Sequence, residues 1–411
     1  MNRSVSDSSP PAEGGGFPVT IVTAAAALCV ASSLLWPHGM MAASVVLMVF
    51  GSWCLMSRRW CWGPEDNPAA WINLTFAVYA LGSSAISWFH GDPVANLEQY
   101  LPFLGAGLLA VGFRMAAPRP FLIGAAFAAA AILAGSASIV QVLGAEEMHR
   151  ANFLAFSTWF GTMGALCAVI CAGFLGWPEA AEGSPARKAI LAAGVAGGIA
   201  VALLSGSKGA WLQLLAAGPF AVLWIMRRAT AKGALIGLLV IFSGIIAAAL
   251  LPHSPIVPRI KEALHEGDRL RLAYWHDAWE MAEEHSLLGG GRAALKERLN
   301  ATSLEVRSGI PLGQPPNDAH NEYLDVFAAR GGAGLLLILA AYVVPLAVLL
   351  HLMFHCPGSR GPAAIGLLFI IAFAAGGLTG VQFAVNSLRM MFLFVVLFCV
   401  TAATSKPCTA P

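Results

Sequence analysis

The sequence predicts an all-α, polytopic integral membrane protein with about twelve transmembrane helices and one large helical loop on the outer face. Hydrophobic residues make up 58% of the 411 residues and charged residues only 11%, which is outside the range of soluble domains. Apolar runs of about 17–25 residues, the length that a helix needs to cross a bilayer, recur along the chain. The alternating segments of roughly 10 residues that mark a membrane β-barrel are missing from the sequence, so the runs are predicted to be helices.

Twelve runs have the length and composition of a transmembrane helix. They are residues 17–35, 39–56, 69–88, 101–117, 119–142, 154–176, 187–204, 209–226, 232–251, 332–355, 362–380 and 387–405.

These runs divide the chain into five predicted segments. The first is rich in Ser, Pro and Gly, which is typical of a disordered tail, and it lacks the basic start and cleavage site of a signal peptide. The segments are a cytoplasmic tail over 1–16, helices one to nine over 17–251, a large outer loop over 252–331, helices ten to twelve over 332–405, and a second cytoplasmic tail over 406–411.

The distribution of Arg and Lys in the short connections predicts the orientation in the membrane, because basic residues concentrate on the cytoplasmic side. With a cytoplasmic N-terminus, three basic residues fall in short outer connections: Arg150, Lys208 and Arg389. The inner connections then hold ten, namely Arg58, Arg59, Arg114, Arg119, Arg187, Lys188, Arg227, Arg228, Lys232 and Arg360. Loop 252–331 is therefore predicted to lie outside, and both termini inside.

The three basic residues in outer connections oppose this charge rule, and two explanations are possible. In the first, a long side chain snorkels to the membrane interface. In the second, the residues form an anion site, which is favoured because three cations lie on one face beside a large loop. Guanidinium groups bind phosphate oxygens in a bidentate manner, so a pyrophosphate is the expected ligand.

The first half of the outer loop predicts a helix from an N-cap at Asp268 to about His285. Leu272, Trp275 and Trp279 would form its apolar stripe. Arg269 and Arg271 fall in its first turn, either as anion ligands or as solvated surface residues.

In the second half of the outer loop, the sequence predicts a flexible break, a lid and a second helix. Gly289–Gly291 would form the break, and the Gly- and Pro-containing stretch 299–317 would form the loop-like lid. The second helix would be opened by Asn317 or Asp318.

His320 is the candidate catalytic residue of this second helix, in whose first turn it is expected to lie. A helix N-terminus favours a neutral imidazole, and a neutral imidazole accepts a proton from a hydroxyl group as a general base. Asn321 and Tyr323 flank it as supporting residues.

Other classes of site are not predicted. The first outer connection, Trp36–Gly39, has no carboxylate, and neither a DxD motif nor a cluster with metal-ligand spacing stands out, so neither a metal nor another cofactor is expected. The net charge of +2 with no basic arm gives no indication of nucleic-acid binding. The eight cysteines all lie outside 252–331, which excludes a disulfide framework in the loop.

The pattern resembles the O-antigen ligases, within the O-antigen ligase/polymerase superfamily. The likeness spans nearly the whole chain, including the twelve-helix layout with one long loop. Four motifs carry the resemblance. Ala319–Leu324, with Gly331 and Gly334, resembles the family's "HN-x-YL" element, and Ser205–Leu212 resembles its "S-x-S-R-G-x-W-L" element. Arg150–Asn152 resembles an arginine near a following asparagine, and Arg269 or Arg271 before Gly289–Gly291 resembles the family's loop arginine. Lys208 stands where the family usually has arginine.

This resemblance implies that the protein is an enzyme, a metal-independent glycosyltransferase that inverts the anomeric centre. It would lie in the bacterial inner membrane, with its active site on the periplasmic face. A polysaccharide would move from undecaprenyl pyrophosphate to a sugar hydroxyl of lipid A–core. His320 would act on the acceptor hydroxyl. The pyrophosphate would be held by Arg150, Lys208, Arg269 or Arg271, and Arg389. Its partners would be the lipid-linked polysaccharide, the lipid A–core acceptor and membrane lipids.

Three alternatives remain. An O-antigen polymerase or a protein O-oligosaccharyltransferase of the same superfamily would use the same donor chemistry with a different acceptor. A transporter of lipid-linked glycans would be expected to carry ionisable residues near the membrane midplane, whereas the middles of these twelve runs carry almost none.

Overall fold

The computed structural model confirms the all-α, polytopic architecture. It describes residues 17–36, 38–60, 63–92, 98–147, 149–152, 157–181, 184–227, 246–265, 269–306 and 316–405. Within these ranges the regular structure is helical throughout.

The helices are numbered here in chain order. They are α1 (Phe17–Ala31), α2 (Gly39–Met56), α3 (Asn67–Phe89), α4 (Leu101–Leu104), α5 (Ala106–Ala116), α6 (Pro120–Leu143), α7 (Ser157–Leu175), α8 (Pro178–Ala181), α9 (Pro185–Leu204), α10 (Lys208–Met226), α11 (Ile256–His265), α12 (Arg269–Glu284), α13 (Arg292–Val306), α14 (Glu322–His355), α15 (Arg360–Gly377) and α16 (Asn386–Thr404).

Within the described ranges, nine helical stretches are long and apolar enough to cross a membrane, and two shorter apolar helices accompany them. Together they account for eleven of the twelve predicted runs. The ninth run, 232–251, lies mostly outside the described residues, and only its end is seen as a helical stretch over 246–250.

Small residues allow the membrane helices to pack closely, as is usual where apolar burial alone does not drive association. At the contact of α6 and α9, a Cβ on Gly135 would come within 2.8 Å of the Gly197 backbone. A Cβ on Gly51 of α2 would come within 2.1 Å of the Leu108 carbonyl oxygen of α5. These helix pairs therefore pack with their backbones in close contact.

The segment 252–331, predicted to be an outer loop, contains more helix than the sequence predicts. Residues 299–306, expected to begin a lid, belong to α13, and 307–315 lie outside the described residues. α12 occupies the place of the first predicted helix, while its expected cap Asp268 is outside the described part. Its buried stripe is made of Tyr274, Ala278, Met281 and Ala282. Two residues of the predicted apolar stripe, Leu272 and Trp279, are 58% and 50% exposed.

Gly289–Gly291 is a docked segment rather than the predicted flexible break. The Gly290 N–H donates to the Ala328 carbonyl and the Gly291 N–H to the Ala329 carbonyl. Gly289 and Gly291 have φ values of 76° and 88°, which favour glycine. The backbone of this segment therefore packs directly on α14.

The predicted second loop helix and the tenth membrane run form one element, α14. Its backbone is helical except at Gly331, where φ is 63° and ψ is −168°. A Cβ on Gly331 would come within 2.3 Å of the Leu287 backbone. The N-cap is Asn321, whose side chain accepts from the Tyr323 and Leu324 N–H groups. The prediction of a start at Asn317 or Asp318 was therefore wrong.

Candidate active site

His320 lies just before α14, outside its first turn. Its backbone is left-handed, with φ of 52°, because the chain must bend between Asp318 and the Asn321 cap. Its ring is half exposed, with 50% of the side-chain surface accessible. Because His320 lies outside the first turn, the predicted stabilisation of a neutral imidazole by the helix N-terminus does not apply. The nearest charged neighbour determines the environment of the ring instead.

That neighbour is Asp318, which the sequence suggested only as a helix cap. One oxygen, Oδ1, accepts from the His320 backbone N–H at 2.9 Å and lies 3.1 Å from Nδ1 of the ring. Burial would raise the pKa of the Asp318 carboxyl, but its hydrogen bond to the ring and the attraction of His320 and Arg292 hold that pKa below its usual value. An ionised Asp318 orients the ring through Nδ1 and leaves Nε2 to receive a proton.

A second carboxylate fixes the turn that carries Asp318 and His320. Asp325 is buried and accepts from the Ala319 N–H at 3.0 Å. It also pairs with Arg292, which in turn donates to the Asn317 carbonyl. This network was not foreseen, because Arg292 is distant in sequence and its partners meet only in the folded chain.

The predicted supporting residues hold the start of α14 in place. Asn321 acts as the N-cap, and the Tyr323 hydroxyl donates to the Ala374 carbonyl at 2.8 Å. The adjacent Glu322 is fully buried and accepts from the Tyr342 hydroxyl at 2.6 Å and the Phe383 N–H at 2.7 Å. These bonds attach the His320 turn to the connection between α15 and α16.

The basic residues of two short connections meet α11 in a second group, named here the cation cluster: Arg150, Lys208 and Arg259 with Glu262. Arg150 Nε donates to the Ser205 carbonyl at 2.9 Å, and Arg259 Nε donates to the Gly206 carbonyl at 3.3 Å. Glu262 lies 3.4 Å from Lys208 Nζ and 2.5 Å from Arg259 Nη1. Arg259 and Glu262 were not predicted from the sequence, because neither belongs to a recognisable motif.

The charges of this cluster perturb one another. Burial lowers the pKa of Arg150, the nearby Arg259 lowers it further, and Glu262 opposes both. Burial would raise the pKa of Glu262, but Arg259 and Lys208 lower it below its usual value. Three cations thus surround a single ionised carboxylate, which is the electrostatic environment of an anion-binding site.

A chain of contacts connects the cation cluster with the His320 turn through residues 377–383, named here the bridging segment. A Cβ on Gly209, next to Lys208, would come within 2.4 Å of Thr379 Oγ1. A Cβ on Gly377 would lie 3.2 Å from Glu322 Oε2 and 3.3 Å from the Tyr323 ring. Both groups therefore sit at the same end of the helical bundle.

Arg389 takes a different place from the other predicted phosphate ligands. It lies in the first turn of α16 and is only 3% exposed. Its guanidinium donates to the Phe383 carbonyl at 2.9 Å and to the Asn386 side chain. The structure therefore places Arg389 against the end of the bridging segment, not among the residues of the cation cluster.

Arg269 and Arg271 lie in the first turn of α12, and residues 266–268 between them and α11 are outside the described part. Arg269 is exposed, and Arg271 is half-buried with interactions of its own. The choice between them stays open.

An apolar cavity of about 540 Å³ lies beside the cation cluster. Its lining includes Leu203 and Leu204 at the end of α9 and Leu251 shortly before α11. The Leu204 carbonyl accepts from the Ala151 N–H, next to Arg150. The cavity and the cluster together offer adjoining apolar and cationic surfaces.

Among the residues that the structure describes, one group with metal-ligand geometry is found, on α12, although none was predicted. His276, Asp277 and Glu280 place one ligand atom each within 4.8 Å of one another. His276 already pairs with Glu280, which also pairs with Arg298, while Asp277 accepts from Thr302. The group is partly exposed, and the candidate active site is built from other residues.

Residues 191–339 match the family model described as O-antigen ligase. This match supports an assignment to the O-antigen ligase/polymerase superfamily for the matched segment. Comparison with curated proteins found no match. The matched segment contains His320, Lys208 and α11 to α13, whereas Arg150 and Arg389 lie outside it. Members of this family are glycosyltransferase-like ligases and polymerases, which implies a lipid-linked polysaccharide and an acceptor as general substrates.

Proposed function

We propose that this protein is an O-antigen ligase that transfers a polysaccharide from undecaprenyl pyrophosphate to a sugar hydroxyl of lipid A–core. The observation that carries the proposal is the placement of the cation cluster and the Asp318–His320 pair at one end of the bundle, joined by the bridging segment. A donor-side anion site and an acceptor-side base are what this transfer requires.

The donor fits the adjoining cationic and apolar surfaces. Arg150, Lys208 and Arg259 would hold the pyrophosphate, with Arg269 or Arg271 from the start of α12 adding to them. The isoprenoid chain next to the pyrophosphate would occupy the cavity at Leu203, Leu204 and Leu251. In this proposal Arg389 acts indirectly, by supporting the bridging segment.

The transfer is a direct displacement. The acceptor hydroxyl oxygen forms a bond to the anomeric carbon, and the bond from that carbon to the pyrophosphate oxygen breaks with inversion. The hydroxyl proton passes to Nε2 of His320, whose Nδ1 faces Asp318. The electron pair leaves with undecaprenyl pyrophosphate, whose added negative charge the cationic side chains stabilise. Since cationic residues take that charge, no metal is assigned a role.

The proposal includes a location. The enzyme would lie in the bacterial inner membrane with His320 at the periplasmic face and both termini in the cytoplasm, in accord with the ten-to-three distribution of basic residues.

An O-antigen polymerase or a protein O-oligosaccharyltransferase would use the same donor site, and only the acceptor separates them from a ligase. The test is reconstitution of the purified protein with lipid-linked polysaccharide and rough lipopolysaccharide, with and without EDTA. We expect transfer to lipid A–core that survives EDTA. Polymerisation of the donor without transfer to lipid A–core would contradict the ligase assignment, and loss of activity with EDTA would contradict the metal-free mechanism.

A further inference from the structure

The carboxylate of Glu262 occupies the centre of the cation cluster. Its two oxygens are divided between two cations: Oε1 lies 3.4 Å from Lys208 Nζ and Oε2 lies 2.5 Å from Arg259 Nη1. Arg150 lies beside them, and among the described residues its buried Nη2 has no hydrogen-bond partner. Within the described part of the chain, one negative charge of this cluster therefore faces three positive charges, and one donor remains unsatisfied.

This arrangement has room for more negative charge than Glu262 provides. Bringing like charges together in a partly buried place is unfavourable unless an anion neutralises them. The side chains of Lys208 and Arg259 are 18% and 20% exposed, so water screens them only in part. A pyrophosphate carries more charge and more acceptor oxygens than a carboxylate. It would also give the buried Nη2 of Arg150 a partner.

We propose that Glu262 is an internal counter-ion that occupies part of the pyrophosphate site, and that Arg259 binds the donor once the pyrophosphate has replaced Glu262. The identity of the anion as the donor's pyrophosphate rests on the proposed function. The competition between Glu262 and a bound pyrophosphate can be tested without any transfer reaction.

Replacement requires only a movement of the Glu262 side chain. Glu262 is 36% exposed, so its carboxylate can rotate toward water while the α11 backbone stays in place. Arg259 is held independently, because its Nε donates to the Gly206 carbonyl at 3.3 Å. Gly206 has φ of 61°, and a Cβ there would lie 3.3 Å from Arg150 Nε and 3.4 Å from Arg259 Cγ. The two guanidinium groups thus keep their places when Glu262 leaves.

The outward side of α11 suits a helix that lies at the membrane surface. Val257 and Ile260 are both 45% exposed, on a different side from Arg259 and Glu262. The helical stretch 246–250, at the end of the ninth predicted membrane run, comes shortly before α11. A helix whose apolar residues face lipid and whose charged residues face the protein would place Arg259 at the level of a lipid headgroup.

A purely structural role for Glu262 gives the opposite expectation for one substitution. If Glu262 only positions Lys208 and Arg259, Glu262→Gln would loosen both cations and weaken pyrophosphate binding. If Glu262 competes with the ligand, Glu262→Gln would remove the competitor, leave a larger positive charge and strengthen binding.

The experiment measures binding of inorganic pyrophosphate and of undecaprenyl pyrophosphate to the purified full-length protein in lipid nanodiscs. For Glu262→Gln we expect affinity for both ligands to rise by about three- to tenfold. For Arg259→Ala we expect it to fall by about tenfold or more. Weaker or unchanged binding by Glu262→Gln would overturn the counter-ion role of Glu262, and unchanged binding by Arg259→Ala would overturn the role of Arg259 as a donor ligand.

Glu284→Gln is the matched control. Glu284 is also paired with an arginine of the outer loop, Arg298, at 3.1 Å, but it is not part of the cation cluster. Its affinity for pyrophosphate should equal that of the parent protein. Binding is measured without an acceptor, so it does not depend on transfer. Tighter pyrophosphate binding by Glu262→Gln, together with failure of the parent protein to glycosylate lipid A–core, would therefore contradict the proposed function only.

Discussion

His320 shows how a single position combines conformation, charge and access. Its backbone is left-handed, Asp318 faces Nδ1, and half of the side-chain surface is accessible. For His320→Ala we therefore expect loss of transfer by about 10²–10⁴-fold, the usual contribution of a general base. Binding of undecaprenyl pyrophosphate, measured separately, should be unchanged.

His276→Ala provides the control for this prediction, since His276 is also exposed and also lies near a carboxylate, Glu280. Its transfer rate should match that of the parent protein. Full activity of His320→Ala would contradict the general-base role.

Asp318→Asn tests whether the carboxylate orients the ring. We expect kcat to fall by at least about tenfold, because the neutral amide no longer selects the ring orientation, with the donor KM unchanged. The lowered pKa of Asp318 means that its contact with His320 is complete above about pH 4 and is lost as the pH falls through the pKa of the folded state. The orienting contact should therefore persist to a lower pH than an unperturbed carboxyl would allow. An unchanged kcat in Asp318→Asn would refute the orienting role.

Arg150 and Lys208 test the donor side. Arg150→Ala and Lys208→Ala should each raise the Kd for undecaprenyl pyrophosphate by about tenfold or more, while the KM for rough lipopolysaccharide stays constant. Lys208→Arg should retain donor affinity or improve it, because a guanidinium adds bidentate hydrogen bonds. Unchanged donor affinity in both alanine variants would mean that these cations serve only topology.

At the scale of elements, the contact of residues 286–291 with α14 joins the outer loop to the membrane part. The Gly332 N–H donates to the Ser286 carbonyl at 2.7 Å and the Ala333 N–H to the Leu287 carbonyl at 3.1 Å. Such a close approach of two backbones depends on glycine at Gly289 and Gly331, since a Cβ at either would meet backbone atoms at 2.3 Å.

Gly331→Ala should therefore destabilise the protein. The φ and ψ of this residue are costly for any other amino acid, by about 1–3 kcal/mol, and the new methyl group would collide with Leu287. We expect a lower Tm of the detergent-solubilised protein and reduced transfer. Gly218→Ala in α10 is the control, because a Cβ there meets nothing within 4 Å and alanine favours a helix. An equal Tm for both variants would show that the contact contributes no stability.

Periodicity predicted the elements better than it predicted their faces. The apolar runs identified the membrane helices, because a bilayer demands about twenty apolar residues wherever a helix crosses. In α12, however, the buried residues include Tyr274 and Ala278, while Leu272 and Trp279 are exposed. The face that a helix buries depends on its neighbours, here α13 and α14, and those contacts are not local in sequence.

At the scale of the whole molecule, the connections that carry the candidate site converge on one end of the bundle. His90 contacts the Leu288 carbonyl at 2.8 Å, and the His149 N–H donates to the His253 carbonyl at 3.1 Å. The orientation of this end in the membrane is a proposal that labelling can test. Leu287→Cys, at a position that is 72% exposed, should react with a membrane-impermeant thiol reagent added from the periplasmic side.

Arg187→Cys serves as the opposite control, because Arg187 is exposed at the start of α9 on the predicted inner side. It should react only after the membrane is permeabilised, with labelling of the parent chain subtracted in both cases. The reverse pattern would invert the proposed topology and move His320 to the cytoplasmic face.

The sequence by itself determined the all-α membrane fold, singled out Arg150 and Lys208 as exceptions to the predicted charge distribution, and identified His320 within a recognisable motif, because hydropathy, charge sorting and motifs are local properties. Only the tertiary structure decided their chemistry. It set Asp318 against His320, brought Arg259 and Glu262 to Lys208, and moved Arg389 into the interior. The physical reason is that a side chain's partners depend on which helix ends meet, and helix packing brings together residues far apart in the chain.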